Sequence, residues 1–336
     1  MKRLSLIDKF LFLVNSLLAT ILLTSYLSYY ISPNTISIIG IVSLSIPFLI
    51  IINLFFVVYW LLKLKKQFLL SLTVLLIGYQ YFNSFYNFNE KKILLNDDVK
   101  IMSYNVRKFN VFKWIKDENI DQKIYDFINK KQPDILCIQE YPPSKKIGFT
   151  YPYKHIKARK KSHLGHAIFS KYKIINSGSL NFSNTNNNAI FADIVKNNDT
   201  IRVYNIHLQS MGINPKEEEI SQKNGEKLRV RVEKAFKTQA NQVELIKLHM
   251  AKNNYKSIVC GDFNNTAYSW VYHELKEHKN DAFEEAGKGF GKTYDFAFPL
   301  RIDFILTDKD IAVNNFKTYD VKYSDHYPIM ARVNFE

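Results

Sequence analysis

The sequence predicts a membrane-embedded helical segment followed by one mixed α/β domain, built from two packed sheets with outer helices. Two observations carry this. No Asp, Glu, Lys or Arg occurs between Lys9 and Lys63, and a charge-free run of that length cannot serve as a soluble domain's surface. From about residue 97 the pattern changes to short apolar runs alternating with charged, helically spaced stretches. For that second part, periodicity alone leaves a doubly wound sheet open as an alternative.

The charge-free run divides at Ser32-Pro33-Asn34, a turn signal, into stretches of about 10–31 and 36–62. Each matches the ~20 residues needed to cross a bilayer core. A third stretch, about 68–88, follows Lys63, Lys65 and Lys66, and carries Gln80, Asn83 and Asn87 in its second half. Tyr79, Tyr81, Phe82, Phe85 and Tyr86 suit an interfacial aromatic belt there. A cleaved signal peptide would explain only the first stretch. Residues 1–90 are therefore read as a three-helix anchor and 97–336 as one further domain.

Lys2, Arg3 and Lys9 precede the first span, and Lys63, Lys65 and Lys66 lie between the second and third. Positive loops stay in the cytoplasm, which places the N-terminus inside and the domain after Asn89 outside, as an integral membrane protein. Lys91 and Lys92, just past the exit, pull the other way. The net charge of +15 favours anionic partners such as nucleic acid, phospholipid head groups or phosphorylated metabolites. Nothing points to an obligate protein partner. The two cysteines, Cys137 and Cys260, sit inside apolar runs and read as small buried hydrophobes.

Strands are expected at 99–104, 134–139, 165–170, 190–195, 200–208, 257–260, 302–306 and 329–333, with Asn197-Asn198-Asp199 as a hairpin turn. Amphipathic helices are expected at 117–131, closed by Gln132-Pro133, and at 226–251. The apolar face of the second includes Val230, Ala235, Val243, Ile246 and Leu248.

Polar residues end these strands, where loops present functional groups from a rigid scaffold. The segments are Ser103-Tyr104-Asn105-Val106, Cys137-Ile138-Gln139-Glu140, Asn205-Ile206-His207-Leu208, Gly261-Asp262-Phe263-Asn264, Arg301-Ile302-Asp303-Phe304 and Ser324-Asp325-His326-Tyr327-Pro328. In order and spacing they resemble the motifs of the endonuclease/exonuclease/phosphatase superfamily, over about 97–336. The resemblance implies a four-layer α/β/β/α sandwich of two mixed sheets, and hydrolysis of phosphoesters with a divalent ion, Mg²⁺ or alternatively Mn²⁺.

By that resemblance Glu140 is the principal metal ligand, with Asn105 and Asp325 supporting it. Asp262 orients and deprotonates the attacking water, beside Asn264. His326 contacts the scissile phosphate and Asp303 orients its ring; His207 binds phosphate from the opposite side. The chemistry agrees, because a hard cation takes one or two carboxylates, and four clustered carboxylates without a cation would hold raised pKa values. Arg107 is a further candidate for phosphate contact, and Lys160 and Lys161 lesser ones. His163 and His166 are read as surface residues. His155, His249, His273 and His278 are read as non-catalytic, in polar or helical contexts.

The resemblance does not fix the substrate. Abasic-site enzymes of the superfamily carry another pattern where this chain has Tyr204-Asn205-Ile206-His207, and a membrane-held domain facing outward has no access to a chromosome. A nuclease-like phosphodiesterase is the leading expectation. A sphingomyelinase-like phospholipid phosphodiesterase, a phosphomonoesterase and an inactive binding scaffold are the alternatives. No apolar hairpin suited to entering a bilayer is expected after residue 97.

Overall fold

The computed structural model describes residues 4–88, 90–142, 148–158, 164–212 and 222–335. Lys160, Lys161 and His163 lie outside the described residues. The N-terminal helices are α1 (Leu6–Ser25), α2 (Ile38–Leu62), α3 (Phe68–Ile77) and α4 (Phe82–Phe85). They are followed by β1 (Val99–Asn105), α5 (Ile120–Lys131), β2 (Ile135–Tyr141), β3 (Tyr153–Ala158), β4 (Gly165–Ser170), β5 (Lys173–Ser179), β6 (Asn188–Lys196) and β7 (Asp199–His207). The chain continues through α6 (Gln222–Met250), β8 (Lys256–Asp262), α7 (Trp270–Lys276), β9 (Lys279–Asp281), α8 (Ala282–Ala286), β10 (Asp303–Asp308), β11 (Ala312–Thr318) and β12 (Ile329–Asn334).

The strands form two six-stranded sheets, ordered β11-β12-β1-β2-β4-β3 and β5-β6-β7-β8-β10-β9. Only β1–β2 and β7–β8 are parallel pairs among them, so both sheets are mixed. Side chains alternate across a strand, and here both faces are covered. Ile101, Cys137 and Ile168 of one sheet meet Ile190, Val203, Cys260 and Ile305 of the other. Met102 and Leu136 face outward onto Ile120, Ile124 and Ile128 of α5. Tyr204 and Val259 face outward onto Val243 and Ile246 of α6 and Val271 of α7. The result is the expected α/β/β/α order, and not a doubly wound sheet.

Two expected core positions of α6 are wrong: Val230 and Leu248 are exposed, while Val232, Ala235, Phe236, Ala240, Val243 and Ile246 are buried. The buried set keeps the three-to-four-residue spacing of one helix face, and the two misplaced residues fall between its rows. Both cysteines are buried and free.

Two helical segments, Leu6–Tyr29 and Ile38–Leu62, are long and apolar enough to cross a membrane. The third apolar stretch is broken, with Phe68–Ile77 and Tyr79–Phe85 bent by 66°. The break falls at Gly78, where a Cβ would lie 2.1 Å from the Tyr26 hydroxyl. A ring pressed against bare backbone explains a bend that hydropathy cannot register. Inside the bundle, Asn15 donates to Ser71, Ser71 Oγ to Asn53 Oδ1 (2.8 Å), and Trp60 Nε1 to Asn15 Oδ1 (2.9 Å). These bonds tie α1, α2 and α3 together and satisfy polar groups buried among apolar side chains.

The N-terminal helices pack directly on the α/β domain. Tyr29 lies 4.2 Å, ring to ring, from His273 of α7, and Tyr81 lies 6.1 Å from Tyr268. Ser37 Oγ donates to Glu233 of α6 at 2.7 Å, and Gly40 leaves no room for a Cβ against Phe236. Phe48 meets Phe298 at 4.2 Å. Asn87 Nδ2 donates to the carbonyls of Phe283 (2.7 Å) and Glu284 (2.8 Å). The first third of α2 thus lies against the domain, and its remainder packs with α1 and α3.

Candidate active site

Strand register assembles the site. Asn105 closes β1, His207 closes β7, Asp262 closes β8 and Asp303 opens β10. In the ladder His207 and Asp303 are both direct partners of Asp262. Gly261 makes the approach possible: its φ is +142°, and a Cβ there would sit 1.9 Å from the Ile206 carbonyl oxygen. Glu140 has φ +53° beside a register shift between Ile138 and Tyr141. Such irregularities re-aim a side chain at the end of a strand.

Asp262 is the hub. Its Oδ2 accepts from Asn105 Nδ2 (3.0 Å) and Asn264 Nδ2 (3.2 Å), and its Oδ1 from the Asn264 backbone N–H (2.8 Å). His207 Nε2 and His326 Nε2 lie 3.4 and 3.6 Å from the same Oδ2. His326 Nδ1 faces Asp303 Oδ2 at 2.9 Å, leaving Nε2 as the ring nitrogen turned to the Asp262 side. Beneath the site, Gln139 Nε2 donates to Asn205 Oδ1 (2.7 Å), and Asn205 Nδ2 donates to the carbonyls of Ile138 and Ala167 (2.9 Å each). These bonds cross from one sheet to the other and hold the mouth's two halves in register.

The two histidines titrate in opposite directions. Burial works against charge on His326, yet Asp303, Asp262 and Asp325 outweigh it and raise its pKa well above the usual value. For His207 burial prevails over Asp262, and the pKa is lowered. The difference is the direct Asp303 partner, which only His326 has among these contacts. The Asp262 carboxyl is raised by burial and by Asp303, against His326 and His207. Glu140 is raised by burial and by the nearby Asp325, offset in part by Lys108, His326 and Arg107.

Asp262, Asp303, His326, His207, Asn264 and Asn105 therefore converge, and the charge coupling brings Glu140 and Asp325 alongside. The anticipated metal set is less compact. Among the described residues, the group of acidic and histidine ligand atoms lying within 4.8 Å of one another is Asp262, Asp303 and His326, which could hold a metal ion. Asp325 is occupied by Arg107, whose guanidinium is 3.1 Å away. Even so, Glu140, Asn105 and Asp325 offer an all-oxygen donor set suited to a hard cation. Burial, and after it the neighbouring Asp325, raises the Glu140 carboxyl, and a cation beside it would favour its charged form. Within the other triad, the His326–Asp303 bond takes up Nδ1 and leaves Nε2 on the Asp262 side.

Several features escaped sequence reasoning. His166, read as a surface residue, is buried at the start of β4, with its ring 5.8 Å from that of His207. Its place in a wholly buried strand was the available signal. Tyr294 lies edge-on to His326 at 5.1 Å. An exposed apolar run also went unnoticed: Val111, Phe112 and Trp114 are 53%, 62% and 42% exposed on the loop that follows β1. The four residues of that run show no periodicity to distinguish a solvent-facing tip from a core segment.

A two-sheet sandwich with carboxylates, amides and imidazoles gathered at one mouth is a phosphoesterase- and nuclease-like architecture. The chain belongs to the endonuclease/exonuclease/phosphatase family, whose model matches residues 102–326. A separate domain of unknown function matches residues 8–85. No curated protein matches the chain. Among solved structures, the human nocturnin catalytic domain with bound sulfate is 16% identical, with a TM-score of 0.53, over 73% of this chain and 98% of that one. TDP2 of D. rerio, complexed with a single-strand DNA product, is 16% identical with a TM-score of 0.53, over 71% and 100%. A mannosyl-6-phosphatase of Bacteroides thetaiotaomicron is 18% identical with a TM-score of 0.52, over 70% and 100%. At these identities the likeness concerns the fold.

Proposed function

We propose that the protein is a membrane-anchored, divalent-metal-dependent phosphodiester hydrolase with nuclease-like machinery. The observation that carries this is the convergence on Asp262 of two imidazoles with opposed pKa shifts and three amide donors. Asp262 accepts the proton of the attacking water, and its three hydrogen bonds fix the direction of approach. His326, kept as imidazolium by Asp303, donates from Nε2 to a phosphoryl oxygen and stabilises the charge that develops there. His207 stands neutral on the other side; a bound phosphate favours its charged form, which then protonates the departing oxygen. Glu140, with Asn105 and Asp325, would hold a divalent cation, Mg²⁺ or Mn²⁺, whose chemistry is to neutralise phosphoryl oxygens as a Lewis acid.

The anchor supports the membrane assignment. The α/β domain meets the C-terminal end of α1 and the N-terminal part of α2, while the bundle's other end carries the Lys63–Asp8 pair (3.3 Å) with Lys9, Lys65 and Lys66 nearby in sequence. With lysines inside, the domain lies on the extracytoplasmic side. Relatives of the same fold include a TDP2 with a DNA product and a sugar phosphatase, so a monoester is the second substrate type to compare.

The test is hydrolysis of bis-p-nitrophenyl phosphate by the full chain in detergent micelles. We expect turnover with Mg²⁺ or Mn²⁺, loss on adding EDTA, and recovery when the ion is restored. A folded protein that cleaves neither this diester nor p-nitrophenyl phosphate with either ion would leave an inactive scaffold as the better description.

A further inference from the structure

The anchor fixes where the active site looks. α6 follows β7 and precedes β8, so its N-terminal end lies on the side where those strands finish and where His207 and Asp262 sit. The chain leading into α2 first meets the middle of α6, through Asn34 and Asn241 (2.8 Å), and then the region of Glu233 and Phe236. At Phe48 it reaches Phe298, on the loop whose Tyr294 bridges to His326. Past that point residues 49–62 continue for about 21 Å at 1.5 Å per residue. The helix therefore passes from the flank of the domain to the level of the mouth and goes on beyond it. The mouth opens toward the side on which the bundle enters the bilayer.

The loop after β1 stands at that mouth. Four successive residues, Arg107 to Asn110, have positive φ (41°, 57°, 52° and 55°). Asn110 clamps the loop's far side, donating from Nδ2 to the Ile115 carbonyl (2.8 Å) and accepting from the Ile115 N–H (3.0 Å). Arg107 pairs with Asp325 and stacks at 4.3 Å on Trp114, while Lys108 lies 4.7 Å from the Phe112 ring. What this clamped turn projects is Val111, Phe112 and Trp114, with Lys108, Lys113 and Lys116 around them. Aromatic and aliphatic tips ringed by lysine match the interfacial layer, where apolar groups enter and cations meet lipid phosphates. The aliphatic Val111 and the bundle's direction favour a bilayer over a nucleic-acid strand, which would use the aromatic rings alone for stacking.

We propose that Val111–Trp114 is a second membrane contact, which with the anchor holds the active-site mouth against the bilayer, and that the phosphoester hydrolysed is the head group of a membrane lipid. This rests on the hydrolase reading above. Water adds to the head-group phosphorus, one P–O bond to an alcohol breaks, and that alcohol oxygen takes the proton, leaving a phosphomonoester.

The experiment uses the full chain reconstituted in phosphatidylcholine vesicles, with phosphatidylglycerol, sphingomyelin or a phosphoinositide added as probe. Single-stranded DNA and bis-p-nitrophenyl phosphate are assayed in parallel. We expect at least one lipid to be cleaved, and the Val111→Ser/Phe112→Ser double variant to cleave it at least about tenfold more slowly, since two exposed apolar side chains that would enter the bilayer are removed. Its turnover of bis-p-nitrophenyl phosphate should match wild type. Cleavage of DNA with every lipid untouched would overturn the proposal, as would a double variant equal to wild type on lipid or equally slow on both substrates. Failure of wild type on bis-p-nitrophenyl phosphate would instead strike at the hydrolase reading itself.

Discussion

Asp262→Asn is expected to lower kcat on bis-p-nitrophenyl phosphate by about 10³-fold, within the range ascribed to a positioned general base. The substitution keeps the shape of the side chain. The Asn105 and Asn264 side-chain amides and both imidazoles all face Oδ2, so the new amide keeps its oxygen there by turning its NH2 toward the Asn264 backbone N–H, at the loss of that one hydrogen bond. Folding should survive, because the change removes a buried charge whose pKa burial had already raised. What is lost is the acceptor for the water's proton, together with part of the field that sustains His326 as a cation. Steady-state kinetics beside a thermal melt checks this. A variant within tenfold of wild type would remove Asp262 from the role of base.

Asp303→Asn addresses the second histidine and should act through pH as well as rate. His326 has a raised pKa, so its charged form persists above the ordinary titration range and is lost as pH rises through the raised value. Asp303 is the chief cause that raises it, through charge and through the bond to Nδ1. Removing that carboxylate lets burial dominate, and the imidazolium is then lost at lower pH. The alkaline limb of the kcat profile should move down in pH, with kcat reduced about 10²-fold or more even at the new optimum. An unmoved limb would show that another group titrates there. The same linkage bears on stability: the contribution of charged His326 is full below its unfolded pKa and vanishes as pH climbs through the folded one.

Much of this architecture was legible because its strongest signals are local. Strands such as Gly165–Ser170 are short apolar runs whose polar residues fall at their ends, and Asp262, His207 and Asp303 were visible there as anomalies. Strands β3, β5, β9 and β11 were not anticipated, β9 being only three residues long. Tyr153–Ala158 and Lys173–Ser179 carry polar residues on both faces, and β11 is broken by a register shift between Val313 and Asn315. The bend at Gly78 arises from a tyrosine some fifty positions earlier in the chain, which no window can see. Likewise, that Asp303 turns to His326, and that Arg107 turns to Asp325, are outcomes of sheet register and loop path. Residue type alone does not contain them. The identity of the candidate ligands was visible in composition at the strand ends, while their division between cation, phosphate and proton was a matter of distance.

That division is the central claim, and the position of a bound cation tests it most directly. Anomalous scattering from Mn²⁺ in crystals of the full chain should show an ion on the Glu140 carboxylate, beside Asn105 and Asp325, with His326 Nδ1 still on Asp303. A single ion seated among Asp262, Asp303 and His326, with Glu140 bare, would contradict the account.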